Sequence, residues 1–193
     1  MPVDETLNGE FIEETENGKT IVSYKDGKKE GIMKYISPNG VTLSEIEYHN
    51  DVMNGEMRQY NQNGQILFIM NYMNGKQHGK FVSYHTNGVE QLVSNYSDGY
   101  LNGEFKVFDE FGDLITECTY TRGKKQGKNI VYYPQSSGGG VYELSYYEDD
   151  LLTGDKITYY TTGEILSITP YLKGKAQAYT KSYMKNGKEL KTS

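Results

Sequence analysis

Glycine recurs every 24 residues along most of this chain, at Gly31, Gly55, Gly79, Gly103 and Gly127, and the interval returns between Gly154 and Ala178. A tyrosine keeps the same frame 17 residues after each glycine, at Tyr48, Tyr72, Tyr96 and Tyr120, then at Tyr147 after three inserted residues, then at Tyr171. Two residue types held in one frame define an internal repeat. A period of about 20–50 residues implies stacked modules that bury apolar groups against their neighbours and not around one central core. A function carried by such an array belongs to a surface.

The 193 residues read as a single repeat domain, with modules opening near Gly9, Gly31, Gly55, Gly79, Gly103, Gly127, Gly154 and Ala178. At 36% hydrophobic and 24% charged residues, with 22 glycines and 19 tyrosines, the chain is too aromatic to be disordered and too polar for a large core. Tyrosine suits a thin layer wetted on both sides, because its ring packs while its hydroxyl stays hydrated. Alanine occurs only at Ala176 and Ala178, and with so much glycine a helix is a poor expectation.

In register, the third to fifth modules begin GEMRQYNQNG, GKFVSYHTNG and GEFKVFDEFG. Each has a short first strand ending on an aromatic, Tyr60, Tyr84 or Phe108. A turn follows around Gly64, Gly88 or Gly112, where glycine reaches positive φ without steric cost. A second strand such as Ile66 to Tyr72 closes on another turn, Asn74-Gly75 or Asp98-Gly99. The expected fold is all-β: an elongated single antiparallel sheet of consecutive β-hairpins, about 14–16 strands. Period-two geometry puts Ile66, Phe68, Met70 and Tyr72 on the expected buried face, with Leu92, Tyr96, Leu114, Cys118 and Tyr120 at matching positions. Leu67, Ile69, Val93, Ile115, Leu166 and Ile168 fall on the other face, so both faces carry apolar area.

The frame breaks in three places. Glu14 replaces the aromatic of the first module, whose 22-residue span from Gly9 to Gly31 fits a shorter hairpin. Pro134 to Gly140 inserts a longer, flexible loop, and the last module, from Ala178 through Tyr183, is truncated in the manner of a cap.

Net charge is −6 and no run of Lys or Arg stands out, so the long-range field excludes nucleic acid as a default partner and weighs against anionic membrane lipid. The single cysteine, Cys118, rules out an internal disulfide and reads as a small apolar strand residue. The start, MPVDETLNGEF, lacks a basic segment followed by an apolar stretch, and nowhere do about 18 apolar residues run together. A soluble protein is expected, cytoplasmic by preference, with an exported mature chain left open.

His49, His78 and His85 are the only histidines; His78 stands where other modules carry Asn54, Asn102 and Gln126, and reads as a solvated turn residue. Glu45 with Glu47, and Asp149 with Asp150, read as solvated charges rather than acid and base pairs. With no paired cysteines, HxxxH spacing or acidic ladder, no catalytic, cofactor-binding or metal-ligating residue is assigned, and an enzyme is not expected.

The strings YMNGKQHGKF (Tyr72 to Phe81) and YTRGKKQGKN (Tyr120 to Asn129) resemble the MORN repeat in their tyrosine, paired glycines and nearby lysine. The four-residue glycine spacing is kept at Gly75 and Gly79, Gly123 and Gly127, and Gly27 and Gly31. The missing tryptophan and longer period look like a bacterial MORN variant, sometimes grouped with antitoxin or immunity proteins. The resemblance implies twisted antiparallel sheets that bind proteins and, in some members, phospholipids.

The candidate partner-binding residues form one aromatic column, Tyr60, Tyr84, Phe108, Tyr132, Tyr159 and Tyr183, one per module. Two roles stand open and can coexist: cross-strand glue between hairpins, or rigid anchors offered to a partner. A protein partner is expected, a basic toxin being its most concrete form; the alternative is a phospholipid- or surface-glycan-binding protein. The edge strands of a long ribbon also invite pairing with another copy.

Overall fold

The computed structural model describes residues 7–177 and 180–190, so Ala178, the opening of the last module, lies outside the described residues. Two compact units are present. The first runs through Glu90 and includes Asn95–Tyr100; the second holds Gln91–Ser94 and continues from Leu101. The fold is all-β, and eighteen strands among the described residues form one antiparallel sheet. The first unit contains β1 (Gly9–Thr15), β2 (Gly18–Lys25), β3 (Lys28–Lys29), β4 (Gly31–Ile36), β5 (Thr42–His49), β6 (Val52–Tyr60), β7 (Ile66–Met73) and β8 (Lys76–Tyr84). Strand β9 (Glu90–Ser97) contributes residues to both units. The second is built from β10 (Tyr100–Phe108), whose first residue belongs to the first unit, and from β11 (Leu114–Thr121), β12 (Lys124–Tyr132), β13 (Val141–Glu148), β14 (Leu151–Tyr159), β15 (Ile165–Leu172), β16 (Lys175–Ala176), β17 (Lys181–Tyr183) and β18 (Glu189–Leu190). Strands β3 and β4 are two pieces of one line along β2, and β16 and β17 of one line along β15. Merging each pair leaves sixteen of the eighteen, the upper end of the expected number.

Two kinds of turn alternate. In the first, Gly64 donates its N–H to Asn61 O at 3.0 Å while Asn61 donates to Gln65 O at 2.9 Å, a three-residue connection ending on a positive-φ glycine. In the second, two consecutive residues take positive φ, as at Asn74 (52°) and Gly75 (77°), which matches the twist of the flanking strands. Asn50-Asp51 and Asp149-Asp150 make this turn without glycine, so Asp149 and Asp150 are turn residues, in keeping with the sequence reading. The second kind also links modules. Within the first unit the N–H groups of Asp51, Gly75 and Gly99 donate to the carbonyls of Lys29, Met53 and Gln77 at 2.9–3.0 Å. Within the second unit Gly123, Asp150 and Gly174 donate to Leu101, Lys125 and Leu152 at 2.8–3.1 Å.

Gly31 opens β4, as the sequence pattern suggests, but the other 24-residue glycines lie inside their strands. Gly55, Gly79, Gly103, Gly127 and Gly154 are the fourth residues of β6, β8, β10, β12 and β14, because pairing extends back to the preceding turn. On one side the glycine faces the tyrosine of its own module: Gly31 opposite Tyr48, Gly55 opposite Tyr72, Gly103 opposite Tyr120, Gly127 opposite Tyr147 and Gly154 opposite Tyr171. On the other side the strand bulges. Tyr72 faces Gln77 and Met70 faces Phe81, which leaves His78, Gly79 and Lys80 against Asn71 alone. The same two-residue slip recurs in β5–β6, β11–β12 and β13–β14. The Asn71 amide fills the bulge by donating to Lys80 O at 2.9 Å. At the matching bulge Glu47 Oε2 accepts the Glu56 N–H at 3.2 Å, so Glu47 ties two strands together rather than standing as a free solvated charge.

Only Met70, Val82 and Cys118 among the described apolar side chains are buried. Met70 lies on the expected face. In the first unit ring pairs Phe68–Phe81 and Phe81–Tyr96, 5.8 and 6.3 Å between centroids, cover that face. In the second unit Phe105 stands directly across from Cys118 and its ring lies 5.4 Å from that of Tyr120. Such ring pairs contribute about 0.5–1.5 kcal/mol beyond their burial. Val82, 6% exposed and paired with Ile69, belongs to the opposite face, so both faces do carry packed apolar groups. The first hairpin turns directly from Thr15 to Gly18, its opposite partner, which is the shorter connection expected there.

Gly79 isolates the conformational requirement of the beat: its φ is 84°, and an added Cβ would meet only the Asn71 Cβ at 3.6 Å, an ordinary contact. Gly79→Ala is expected to lower stability by about 1–2 kcal/mol through backbone strain alone, and Gly79→Asn by less, because asparagine tolerates the left-handed region. Urea denaturation of the three proteins followed by circular dichroism checks the order.

Candidate partner-binding site

The six column residues each end a strand, Tyr60 and Tyr84 in the first unit and Phe108, Tyr132, Tyr159 and Tyr183 in the second; a turn of the first kind follows each except Tyr132, which precedes the longer Pro134 to Gly140 loop. All six are half-buried. A register shift of one residue precedes Tyr60, Phe108, Tyr132 and Tyr159, so each ring stands at a bulge.

Where a glutamate lies 15 residues upstream, the tyrosine uses it. Tyr60 donates its hydroxyl to Glu45 Oε2 at 2.8 Å, and Tyr132 donates to Glu117 Oε1 at 2.7 Å. Glu45 also pairs with Lys34 Nζ at 2.8 Å and lies 3.9 Å from the Arg58 guanidinium, so this carboxylate joins three strands rather than standing solvated. Its hydrogen bonds to Lys34 and then Tyr60 hold its carboxyl below the usual range. Burial raises the Tyr84 phenol, helped by the charges of Glu90 and Glu56. Burial first, and then the bond to Glu117, push the Tyr132 phenol up to about 12.

In the second unit the column is braced by the tyrosines next to it. Tyr133 donates its hydroxyl to Tyr159 O and Tyr160 donates to Tyr183 O, each at 2.8 Å. The Tyr133 ring also packs edge-on against Tyr142 at 5.1 Å, beside the Pro134 to Gly140 insertion, which contains a 3-10 turn at Gln135–Ser137. Tyr159 lines a shallow groove of about 410 Å³ with Lys128, Ile130, Val141, Leu144 and Gly163.

The structure adds a residue that the sequence reading passed over. Phe111, at the tip of the Asp109 to Gly112 turn, is 80% exposed, the most exposed large apolar side chain among the described residues. The equivalent position holds Asn39, Asn63, Asn87, Thr162 or Asn186 in other modules. Asn87 and Asn186 each accept a turn N–H there at 3.1 Å, which phenylalanine cannot do. The turn is closed without it, since Asp109 Oδ1 accepts the N–H groups of Phe111 and Asp113 at 3.0 and 2.9 Å. The fold therefore gives no reason for an aromatic at this tip. Lining up the turns EFGD, NQNG and HTNG by their glycines would have exposed the exchange. His78 also departs from expectation: it lies within β8, and its Nδ1 is buried without a hydrogen-bond partner. Cys118 is buried as read from the sequence, and burial raises its thiol. Among the described residues no cluster of three or more His, Cys, Asp or Glu could hold a metal ion, and no helix is long and apolar enough to cross a membrane.

Three segments of the chain, residues 29–50, 53–74 and 101–121, match the family described as MORN repeat variant. Each match covers one hairpin, β3 to β5, β6 to β7 and β10 to β11, with its glycine and its tyrosine in a facing pair. Over those three segments the chain is similar to the MORN repeat variant, and the shared unit is a β-hairpin. No curated protein matches the chain.

The phenol and carboxylate pairs titrate in opposite senses. For Tyr132 the folded chain holds the proton more tightly than the unfolded one. Its contribution to stability is complete below pH 10 and is lost as pH rises toward about 12. Glu45, whose folded value is lowered, contributes above the ordinary carboxylate range and loses its contribution as pH falls through the lowered value. Tyrosinate absorbance is expected to show a late-titrating group that moves toward the ordinary phenol range in Glu117→Gln.

Proposed function

We propose that the chain is a non-catalytic protein-binding scaffold that engages its partner through the turns following the aromatic column in the second unit, with Phe111 as an anchor. Phe111 carries this reading: a solvent-exposed aromatic at a turn tip where the fold asks for asparagine. Such rings supply most of the energy at protein interfaces, because they bury a large rigid area at little cost in conformational freedom. Phe108 ends β10 three residues earlier, and Tyr132 and Tyr159 end the next two outgoing strands of the same unit, so the column and the anchor share one end of the hairpins. The net charge of −6 suits a basic partner. In a bacterial setting the most concrete form is an antitoxin or immunity protein that caps a toxin, as the MORN-variant resemblance suggests.

Phe111→Asn tests the anchor without disturbing the fold. Its stability is expected to stay within about 0.5 kcal/mol of the parent, since it restores the residue type of the other turns. Its affinity for a protein encoded beside it, co-expressed and purified as a complex, is expected to fall about tenfold or more. Unchanged affinity would remove Phe111 from the interface. Parent protein that captures no such partner but binds liposomes or wall glycan at physiological salt would favour the lipid or glycan reading instead.

A further inference from the structure

Strand β1 is exposed at every one of its seven residues and pairs with β2 alone. Among the described residues its outer backbone groups therefore have no strand partner, and Phe11 and Ile12 are 38% and 56% exposed. The strand and its turn carry Glu10, Glu13, Glu14 and Glu16 with no basic residue between Gly9 and Asn17. A bare edge of this kind is a template for another strand, and natural edges are usually blunted by lysine, proline or a covering segment.

The opposite chemistry gathers at the other edge. Strand β18 pairs with β17 alone, and Leu190 and Met184 are exposed beside it. From Lys173 to Leu190 there are five lysines, Lys173, Lys175, Lys181, Lys185 and Lys188, against one acidic residue, Glu189. Among the described residues none of Glu10, Glu13, Glu14, Glu16, Lys181 and Lys188 takes part in an ion pair.

We propose that the acidic β1 edge of one copy docks on the basic β17–β18 edge of a second copy, head to tail, adding strand to strand. Charge decides the pairing mode. Two β1 edges would set four glutamates against four, and two β17–β18 edges would bring Lys181 and Lys188 of β17 and its turn toward their like, whereas the unlike edges attract. The contact is heterologous, with different surfaces on the two partners, so it repeats and gives short chains of copies rather than a closed symmetric dimer. It uses neither the aromatic column nor Phe111, and it stands whether or not the partner reading above holds.

Sedimentation velocity of the full chain at low and high salt tests it. The parent is expected to show mass rising with concentration at low salt and reverting toward monomer as salt screens the edges. Glu10→Lys, Glu13→Lys, Glu14→Lys in one variant and Lys181→Glu, Lys188→Glu in another should each be monomeric alone. An equimolar mixture of the two should associate again, because the first keeps its basic edge and the second its acidic one. Circular dichroism of each variant confirms that the sheet is intact, and if the triple change loses it, Glu13→Lys, Glu14→Lys takes its place. A parent that stays monomeric at low salt, folded variants that associate as the parent does, or a mixture that stays monomeric would overturn the proposal.

Discussion

A glycine facing a tyrosine across one antiparallel pair, beside a two-residue bulge on the opposite side, sets the register on which the rest of the structure depends. The glycine takes a positive φ that other residues reach only with strain, and the strand can then slip by two residues against the preceding hairpin. At Gly55 the place of the missing side chain is taken by Glu47 from the neighbouring strand. With Gly55 against Tyr72 and Gly103 against Tyr120, one relation is repeated in each unit, and each hairpin inherits its alignment from it.

A single sheet has no second layer to bury its apolar face, so stability is spread over nearest-neighbour contacts. Among the described apolar side chains only Met70, Val82 and Cys118 are buried, and the two fully buried side chains are the small Ser94 and Ser145. The two-residue turns add a backbone hydrogen bond from each module to the one before it, as from Gly75 to Met53. Carboxylates contribute in the same way: Glu45 joins Lys34, Arg58 and Tyr60 on three strands, a role open to it only because register brings positions 34, 45 and 58 side by side. Since every module is held by the same few devices, a residue that departs from them without helping the fold, as Phe111 does, points outward.

Much of the fold was legible because the repeat is a direct image of strand pairing. The 17-residue offset between glycine and tyrosine is the distance along the chain between two residues that face each other, so the hairpin could be read before any coordinate. The short first hairpin and the buried face followed from the same frame. The bulge was not legible. Glycine at a turn and glycine in a bulge look alike in sequence, and the beat glycines were accordingly placed at strand starts, although Gly55, Gly79, Gly103, Gly127 and Gly154 are the fourth residues of their strands. The roles of Glu47 and His78 were missed for the same reason, since both depend on which residues the slip leaves opposite one another.

By itself, then, the sequence determined the class of fold, the hairpin repeat and the residues that form its turns, because these rest on local conformational preference and on a period that chain geometry imposes. It also supplied the charge asymmetry between the first strand and the last. Only the tertiary structure decided which aromatic is used up in packing and which is exposed, which carboxylate is tied to its neighbours, and which edges lack a strand partner among the described residues. Those properties join residues on neighbouring strands, 9 positions apart for Glu47 and Glu56 and 15 for Glu45 and Tyr60, and their sign depends on a register that a bulge can shift by two.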